Sequence, residues 1–388
     1  MAYSERQLKF LRSKGLFPIR PEYFGEPKKI FESFTCDELA DIMRVSKNSH
    51  DAKKHKIPVV FDDLAKRLPY RTDVWRLYDT NNEEVKLKIP LHIGQRKLLL
   101  SEVQFLSQLI DGKPLCDVVD CVVYAGAAPS IHTPLLCELF PGLEFFLYDP
   151  ARFAIRDTKK IHVFRSLFTD GIAESFRNKK VAFISDIRSG DSVKKIQEFE
   201  EAVSTDMGMQ RKWVEIMRPV ASLLKFRLPY TEDGKAEKVD YFDGIAFLQV
   251  WSPRSSTELR LFVTDPDSKK TYDPAEYEEK LFYQNIISRG WEFFPHNFPL
   301  GLVKGLDYCF DCNLELHIWN EFLENCCPEV DKDYYVDATA ELMNRSSRVI
   351  SKGLDLFHHG MFPDTPMIEK VQKILPELQM YLISKRRD

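Results

Sequence analysis

The sequence lacks the features that mark a membrane-spanning, secreted or repetitive protein. No apolar run approaches the roughly 18 residues needed to span a bilayer. The first residues, MAYSERQLKFLRSKG, lack the apolar stretch of a signal peptide. Internal repeats and low-complexity tracts are also absent from the sequence. We therefore expect an intracellular protein with no membrane partner.

A large excess of charge of one sign is lacking as well. The 55 basic and 59 acidic residues leave a formal net charge of −4 over 388 residues. A protein that coats nucleic acid without specificity usually has a strongly basic surface, so this class is disfavoured, although a local basic groove stays compatible with the charge. The apolar fraction of 44% excludes wholesale disorder.

Cysteine is sparse and irregularly spaced, and we interpret the eight residues as reduced thiols. The one metal-like arrangement is Cys309-x-x-Cys312 followed by the pair Cys326-Cys327. The surrounding DYCFDCNLELHIW reads as a strand, in which residues three apart point to opposite faces. A zinc knuckle needs both thiolates to converge from a turn. Packed thiols are therefore favoured over zinc, and no metal is expected.

The length exceeds one small core and predicts one large domain with additions, or two domains. Residues 1–85 are charged and rich in turns, with a short helix around Glu5–Lys14 and another in FDDLAKRLPY that ends at Pro69. A helical pattern follows Gly94 and extends to Leu109–Ile110. We predict an N-terminal extension over 1–85, a main domain over 86–325 and a helical addition over 326–388 with a last helix around MIEKVQKI.

Apolar runs alternate with helical stretches through the middle of the chain. The runs are VVDCVVYAG, LEFFLYDP, IHVFRSLF, VAFISDI, ASLLKFRLPY, GIAFLQVWSP and TELRLFVTD, and the helical stretches between several of them include TPLLCELF, DGIAESFRNK and EFEEAVSTDMGMQRKWVEIMRPV. Strands that are apolar on both faces and separated by helices predict a largely parallel sheet covered on both sides. This is the doubly wound α/β class.

Ligands bind at the carboxyl ends of strands in such a sheet, and three of these ends carry informative residues. VVYAGAAPSIH turns through Gly126 and starts a helix after Pro129, which permits a close ligand but also fits an ordinary turn. Asp149 follows the next strand, where an acidic residue either binds ribose hydroxyls or caps a helix. Asp186 follows FIS, and burying its carboxylate is costly unless it is paired, which favours a functional role.

Three further charges interrupt apolar segments. Lys225 and Glu258 lie in strand-like runs, and Lys97 lies in the helix that follows Gly94. Taken alone, a strand lysine is more often an edge or solvent-facing residue, and Lys97 fits a solvated helix face. The order Lys97, Asp186, Lys225 and Glu258 along one chain is the informative feature.

GQRKLLLSE, VVYAGAAPSIH, ISDIRS, VASLLKFRLPY and STELRLF together resemble, in order and spacing, the poxvirus-type cap-specific mRNA (nucleoside-2′-O)-methyltransferase family. Members of this kind also act as stimulatory subunits of poly(A) polymerase, and similar proteins occur in other large DNA viruses and in kinetoplastids. The resemblance covers about residues 78–318. It implies a Rossmann-type, S-adenosylmethionine-dependent methyltransferase with a mostly parallel sheet flanked by helices.

The resemblance implies that Lys97, Asp186, Lys225 and Glu258 form a catalytic tetrad. The residues that it implies around S-adenosylmethionine are Gln95, Tyr124, Gly126, Ala128, Pro129, Ser130, Asp149, Arg152, Phe168, Thr169 and Asp186. Two of these depart from the family pattern. Ser130 stands where the family has a second glycine, and Arg152 is displaced by one position from the family's arginine.

A pocket for the N7-methylated guanine of an mRNA cap is also implied. Tyr230 would stack on the base, and Glu232 and Glu278 would accept hydrogen bonds from its edge. The second ring is Tyr78 or its rival Tyr70. The candidates for contacts with transcript phosphates are Lys53, Lys54, Arg188, Arg227 and Lys304.

The function expected from the resemblance is 2′-O-methylation of the first transcribed nucleotides of capped mRNA, with capped mRNA and a poly(A) polymerase or another mRNA-processing subunit as partners. Two alternatives stay open: a non-catalytic or bifunctional subunit that binds RNA and stimulates polyadenylation, and a 2′-O-methyltransferase of another RNA. A viral protein of this kind would act in the cytoplasm or virion, and a cellular one in the nucleus.

Overall fold

The computed structural model describes residues 57–66, 91–189, 196–230, 237–252, 256–282 and 309–350, with short pieces at 284–285, 289, 294, 296–299, 302–303 and 306. The predicted helices around Glu5–Lys14 and MIEKVQKI lie outside the described residues. Of FDDLAKRLPY, the described part forms a 3-10 helix over Phe61–Lys66.

A seven-stranded sheet forms the centre of the molecule. Its strands are β3 (Cys121–Ala125), β4 (Glu144–Tyr148), β5 (Ile161–Phe164), β6 (Val181–Ser185), β7 (Ala221–Phe226), β9 (Ile245–Phe247) and β10 (Leu259–Val263). The spatial order is β5-β4-β3-β6-β7-β10-β9. The first five strands in this order are parallel, whereas β10 runs antiparallel to both β7 and β9.

The helices surround this sheet, and two short pairs of antiparallel strands lie outside it. The helices are α1 (Leu91–Leu106), α2 (Leu115–Val118), α3 (Thr133–Leu139), α4 (Asp170–Ser175), α5 (Ile196–Met217), α6 (Pro274–Phe282), α7 (Phe310–Cys326) and α8 (Tyr335–Val349), with a 3-10 turn at Lys332–Tyr334. The small pairs join β1 (Leu109–Ile110) to β2 (Lys113–Pro114) and β8 (Val239–Phe242) to β11 (Lys269–Tyr272). Among the described residues, no helix is long and apolar enough to cross a bilayer.

The central strands are continuous apolar runs because both of their faces are covered. Every residue of β3, β6 and β10 is buried. Such strands lack the alternation of a half-exposed sheet and are typical of the α/β class. The predicted α/β class with a mostly parallel sheet is confirmed. The predicted division at residues 85 and 325 stays a prediction.

The predicted strand at DYCFDCNLELHIW is wrong, because most of this segment belongs to helix α7. Its buried residues include Phe310, Leu314, Ile318 and Phe322, which are spaced by four and therefore share one helix face. Cys309 caps the helix, since its Sγ accepts a hydrogen bond from the Cys312 backbone. This spacing of four residues indicates a helix, and the strand prediction did not take it into account.

The predicted extension of the first helix to Leu109–Ile110 is also wrong. Helix α1 ends at Leu106, and Leu109–Ile110 forms β1 instead. Asp111 and Gly112 both have positive φ, at 51° and 78°, which closes a tight hairpin to β2. Leu109 is consequently 52% exposed rather than packed on the helix face.

A buried network of charges attaches α1 to α7. Glu315 accepts hydrogen bonds from Arg96 at 2.6 Å and from the Trp251 indole at 2.7 Å, and both charged side chains are fully buried. Arg96 also reaches Ser347 of α8 at 2.7 Å. Because Arg96 precedes Lys97, this network sets the position of the helix that carries Lys97.

Replacing Glu315 by Gln should lower the free energy of unfolding by about 3–5 kcal/mol, because Arg96 would keep its charge in the core without a counter-ion. Chemical denaturation measures this change. The matched control is Glu174→Gln, which breaks an exposed ion pair with Arg177 and should change stability little. Equal stability of Glu315→Gln and the wild type would show that the network does not hold α1.

Candidate active site

Four charged side chains converge at one edge of the sheet. Lys97 Nζ lies 3.1 Å from Glu258 Oε1, and Lys225 Nζ lies 3.1 Å from Asp186 Oδ1 and 3.5 Å from Glu258 Oε2. Each side chain is between 10% and 18% exposed, so the group is shielded but open to solvent. The structure thus brings together the four residues Lys97, Asp186, Lys225 and Glu258, while the role of each stays a prediction.

The sheet register explains this meeting. Ser185 of β6 pairs with Leu224 of β7, which sets the following residues, Asp186 and Lys225, side by side. On the other flank of β7, Arg260 of β10 is the direct partner of Lys225. Glu258 precedes Arg260 by two residues and therefore points to the same face.

Arg260 is a fifth member of the group that the sequence reasoning missed. Its Nη2 lies 2.8 Å from Asp186 Oδ1 and 3.3 Å from Glu258 Oε1, and its side chain is 2% exposed. The signal was present in the alternation of ELRLF, because Glu258 and Arg260 are two residues apart in one strand run.

The ion pairs dominate the electrostatics of the site. Burial raises the pKa of Asp186, but the attraction of Arg260 and Lys225 outweighs it and lowers the pKa to about 2. Burial acts in the same way on Glu258, where Lys225 and Lys97 hold the pKa well below its usual range. Burial lowers the pKa of Lys97, with Arg260 and Lys225 adding to the effect. Both carboxylates are therefore ionised at neutral pH.

The turn after β3 comes close to the end of β6. Gly126 has φ +80°, and a Cβ there would lie 2.6 Å from the Ile187 nitrogen and 2.7 Å from the Asp186 carbonyl carbon. No other residue fits this position without moving the backbone of the Asp186 strand end. Tyr124, two residues earlier, is buried in β3, and burial raises the pKa of its hydroxyl.

Ser130 takes the left-handed conformation that favours glycine, with φ +59°. Its side chain is fully buried and its hydroxyl donates to the Ala127 carbonyl at 2.5 Å. The Ser130 hydroxyl is therefore hydrogen-bonded within its own turn. This conformation gives a physical reason for a glycine at the matching position in the family.

Asp149 braces the same turn. Its Oδ2 accepts from the Ala128 backbone at 3.1 Å, and its Oδ1 accepts from the Ala151 backbone at 2.7 Å. Each carboxylate oxygen has a second lone pair that can accept a hydrogen bond from a hydroxyl group. Arg152, the displaced candidate, is exposed beside it.

Gln95 connects α1 to this turn. Its Oε1 accepts from the Ile131 backbone at 2.8 Å and lies 2.9 Å from Nδ1 of His132. His132 is fully buried, and its Nε2 lies 2.9 Å from the Glu102 carboxylate. His132, which the sequence analysis did not single out, thus connects Gln95 to Glu102 within the core.

The two residues suggested near the adenine have local structural roles. Phe168 is buried and packs edge-on against Tyr148 and Trp213. Thr169 caps α4, since its hydroxyl accepts from the Ile172 backbone at 3.3 Å. Neither role tests a contact with a cofactor.

The cap-pocket candidates are only partly described. Tyr230 is half-buried with its ring 4.7 Å from the guanidinium carbon of Arg227, and Glu278 is buried on α6. Tyr78, Tyr70 and Glu232 lie outside the described residues, as do the phosphate candidates Lys53, Lys54 and Lys304. Arg188 is half-exposed with Nη2 3.5 Å from Glu258 Oε2. The described residues contain no cluster of three or more metal-ligating side chains.

Comparisons with known proteins point to one family. Residues 60–301 match the family model described as poly(A) polymerase regulatory subunit. A relative from fowlpox virus (strain NVSL), named cap-specific mRNA (nucleoside-2′-O-)-methyltransferase, is 33% identical over 218 residues, which cover 50% of this chain and 68% of that protein. Proteins of the same name from myxoma virus strains Lausanne and Uriarra are 28% identical over 258 residues, which cover 59% of this chain and 69% of theirs.

Among solved structures, bluetongue virus VP4, described as a multifunctional RNA-capping production line, matches 47% of this chain and 30% of its own. The TM-score is 0.36 and the identity 16%, and a likeness this partial carries no argument about the site.

Stability should decline with acid through Asp186. The folded-state pKa of about 2 lies below the ordinary value of 3.8, so this carboxylate stabilises the fold above about pH 5 and loses that contribution as the pH falls to about 2. The contribution is on the order of 2 kcal/mol. Chemical denaturation of Asp186→Asn across this window should show a shallower decline than the wild type.

Asp111→Asn, at an exposed turn, is the matched control and should follow the wild-type curve. Parallel curves for Asp186→Asn and the wild type would contradict the role of the Arg260 and Lys225 charges at Asp186.

Proposed function

The chain belongs to the poly(A) polymerase regulatory subunit family, and on this premise we propose that it is an S-adenosylmethionine-dependent methyltransferase that 2′-O-methylates the first transcribed nucleotides of N7-methylguanosine-capped mRNA. The observation that carries the proposal is the shielded group in which Lys97 and Lys225 meet Asp186 and Glu258 within 3.5 Å. The names of the viral relatives support the same activity.

The residues at the strand ends fit the proposed methyl donor. When bound, S-adenosylmethionine supplies an electrophilic methyl group on a sulfonium. The carboxylate of Asp186 is partly exposed and stays ionised, and so it complements a positive charge. Asp149 retains lone pairs for ribose hydroxyls, and Gly126 lets the turn after β3 approach the backbone at the Asp186 strand end.

The charge balance of the group supports a proton acceptor. Lys97, Lys225 and Arg260 supply three cations, whereas Asp186 and Glu258 supply two anions. An excess positive charge in a shielded site favours loss of a proton from an ammonium group, because guanidinium holds its proton. An amine produced in this way can accept the proton of a ribose 2′-hydroxyl, which is hardly ionised at neutral pH.

The two carboxylates orient the amines. Asp186 and Glu258 both contact Lys225, and Glu258 also contacts Lys97, so the lysines are held on one side of the strand ends. A fixed arrangement contributes to the rate because methyl transfer requires the attacking oxygen, the methyl carbon and the leaving group in line. On the family resemblance, we assign Lys225 as the residue that faces the 2′-hydroxyl.

Cap recognition is proposed for Tyr230, Glu232 and Glu278, with Tyr78 as the second ring. An N7-methylated guanine is cationic and stacks more strongly on aromatic rings than plain guanine. Tyr230 lies five residues beyond Lys225, which keeps a cap base within reach of the same strand end. Capped mRNA is accordingly the proposed substrate.

A second function is proposed from the family description, which points to a poly(A) polymerase as partner. This interaction is compatible with methyl transfer, since a bifunctional subunit would use another surface.

Lys225→Ala should reduce methyl transfer to capped RNA by at least about 100-fold, because the amine at the 2′-hydroxyl is lost. Binding of S-adenosylmethionine, measured by calorimetry, should stay close to that of the wild type. Lys212→Ala, at an exposed position on α5, is the matched control and should keep full activity. Near-normal transfer by Lys225→Ala would remove the assignment.

RNA with an N7-methylated cap should be methylated about tenfold more efficiently than RNA with an unmethylated cap, because of the cation–π term. Transfer of a labelled methyl group to the two RNAs, followed by mapping of the modified nucleotide, measures the preference. Equal transfer to both would favour a methyltransferase of another RNA. Absence of transfer to any capped RNA would favour a non-catalytic RNA-binding subunit.

A further inference from the structure

A cavity of about 240 Å³ lies beside the end of β7, next to the catalytic candidates but separate from them. Helix α5, the segment after β7 and strand β8 form its walls. One hydrogen bond and one short sequence separation connect it to the proposed active site. Gln210 of α5 donates to the Lys225 carbonyl at 3.1 Å, and Arg227, which lines the cavity, lies two residues beyond Lys225.

Arg227 is built into this wall with unused hydrogen-bond donors. The residue is 8% exposed, and its Nη2 donates to Glu200 Oε2 at 2.7 Å. Its guanidinium carbon lies 4.7 Å from the ring centre of Tyr230 and 5.2 Å from that of Phe199. Its Nε and Nη1 are buried without a hydrogen-bond partner in the described part of the chain.

Glu200 has an unused hydrogen-bond acceptor that complements the unused donors of Arg227. Its Oε1 is also buried and accepts no hydrogen bond within the described residues. Buried charged groups are normally fully hydrogen-bonded, because an unmet donor or acceptor costs free energy. A ligand that supplies both an acceptor to Arg227 and a donor to Glu200 would meet both needs.

The lining restricts the class of ligand. Arg211 and Arg227 are balanced by Glu200 and Asp240, so the cavity has no net charge. Its other walls are largely apolar, with Val203, Met207, Pro229 and Val239 among them. A neutral planar heterocycle with neighbouring donors and acceptors fits these walls, and nucleobases have this edge chemistry.

Two other RNA groups fit less well. A phosphate offers acceptors only and would face Glu200 and Asp240. An N7-methylated guanine carries a positive charge toward Arg227 and has lost the N7 acceptor that an arginine would bind. The cavity therefore differs in preference from the proposed cap pocket.

We propose that this cavity binds an unmodified base of the transcript, from a nucleotide close to the one that is methylated. The identification of RNA as the source rests on the proposed function, whereas the preference for a nucleobase rests on the cavity itself. The base lies against the apolar wall, and its edge hydrogen-bonds to Arg227 and Glu200.

Gly208 makes the cavity testable. It lies on the cavity side of α5, is exposed, and a Cβ there would meet no atom within 4 Å. Gly208→Leu should fill the cavity without a clash, and removing a mid-helix glycine favours the helix. Ser204→Leu adds a similar side chain at another lining position. Thr205→Leu, exposed on α5 but outside the lining, is the matched control.

The experiment measures binding, not methyl transfer. Capped heptaribonucleotides are prepared intact and with an abasic site at each position in turn, and their affinities are measured by fluorescence anisotropy. For the wild type and Thr205→Leu, one abasic position should weaken binding about tenfold. Gly208→Leu and Ser204→Leu should bind the intact RNA with the same loss and should be insensitive to the abasic site at that position.

The proposal would be overturned if both leucine variants bound the intact RNA with the affinity of the wild type. A wild-type abasic effect that persists undiminished in both of them would also overturn it. Saturable competition by free guanosine or adenosine, with no abasic effect at any position, would reassign the cavity to free nucleosides. A lack of methyl transfer would contradict the proposed function but would leave these affinities, and so this proposal, independently measurable.

Discussion

A shielded carboxylate requires a cation beside it, and this requirement organises the edge of the sheet where the candidate site lies. Asp186 and Glu258 end up close together, and their mutual repulsion is relieved by Lys97, Lys225 and Arg260. Arg260 contacts both carboxylates from a fully shielded position in β10. The two lysines and two carboxylates keep only 10–18% of their side-chain surface exposed, so a substrate would meet a small, strongly charged opening.

A second set of buried charges helps to position the helix that carries Lys97. Neighbouring residues of α1 face two networks, since Arg96 pairs with Glu315 of α7 and Lys97 pairs with Glu258. The helix is thus held by ion pairs that are specific in direction, unlike apolar contacts. A buried pair of this kind adds little net stability, but loss of one partner is costly. The position of Lys97 consequently depends on residues more than 200 positions away in the sequence.

Arg227 connects the two proposed RNA sites. Its guanidinium lies against Tyr230, the proposed cap ring, and borders the cavity on α5. Glu200 balances its charge, which reduces the repulsion that a cationic cap base would otherwise meet next to Tyr230. One side chain after β7 could therefore orient a cap base and a transcript base relative to Lys225.

The sequence by itself determined the α/β class, because strand and helix periodicities are local and β3, β6 and β10 are unbroken apolar runs. It also singled out Asp186 and Lys225 as charges in apolar surroundings. The start of helix α7 was wrongly predicted as a strand, because DYCFDCNLELHIW was read as a strand-like segment. Only the tertiary structure decided that Arg260 joins Asp186 across 74 positions and that Arg227 borders a cavity. Such contacts depend on strand order and register, which join residues distant in the chain and leave no mark in its local pattern.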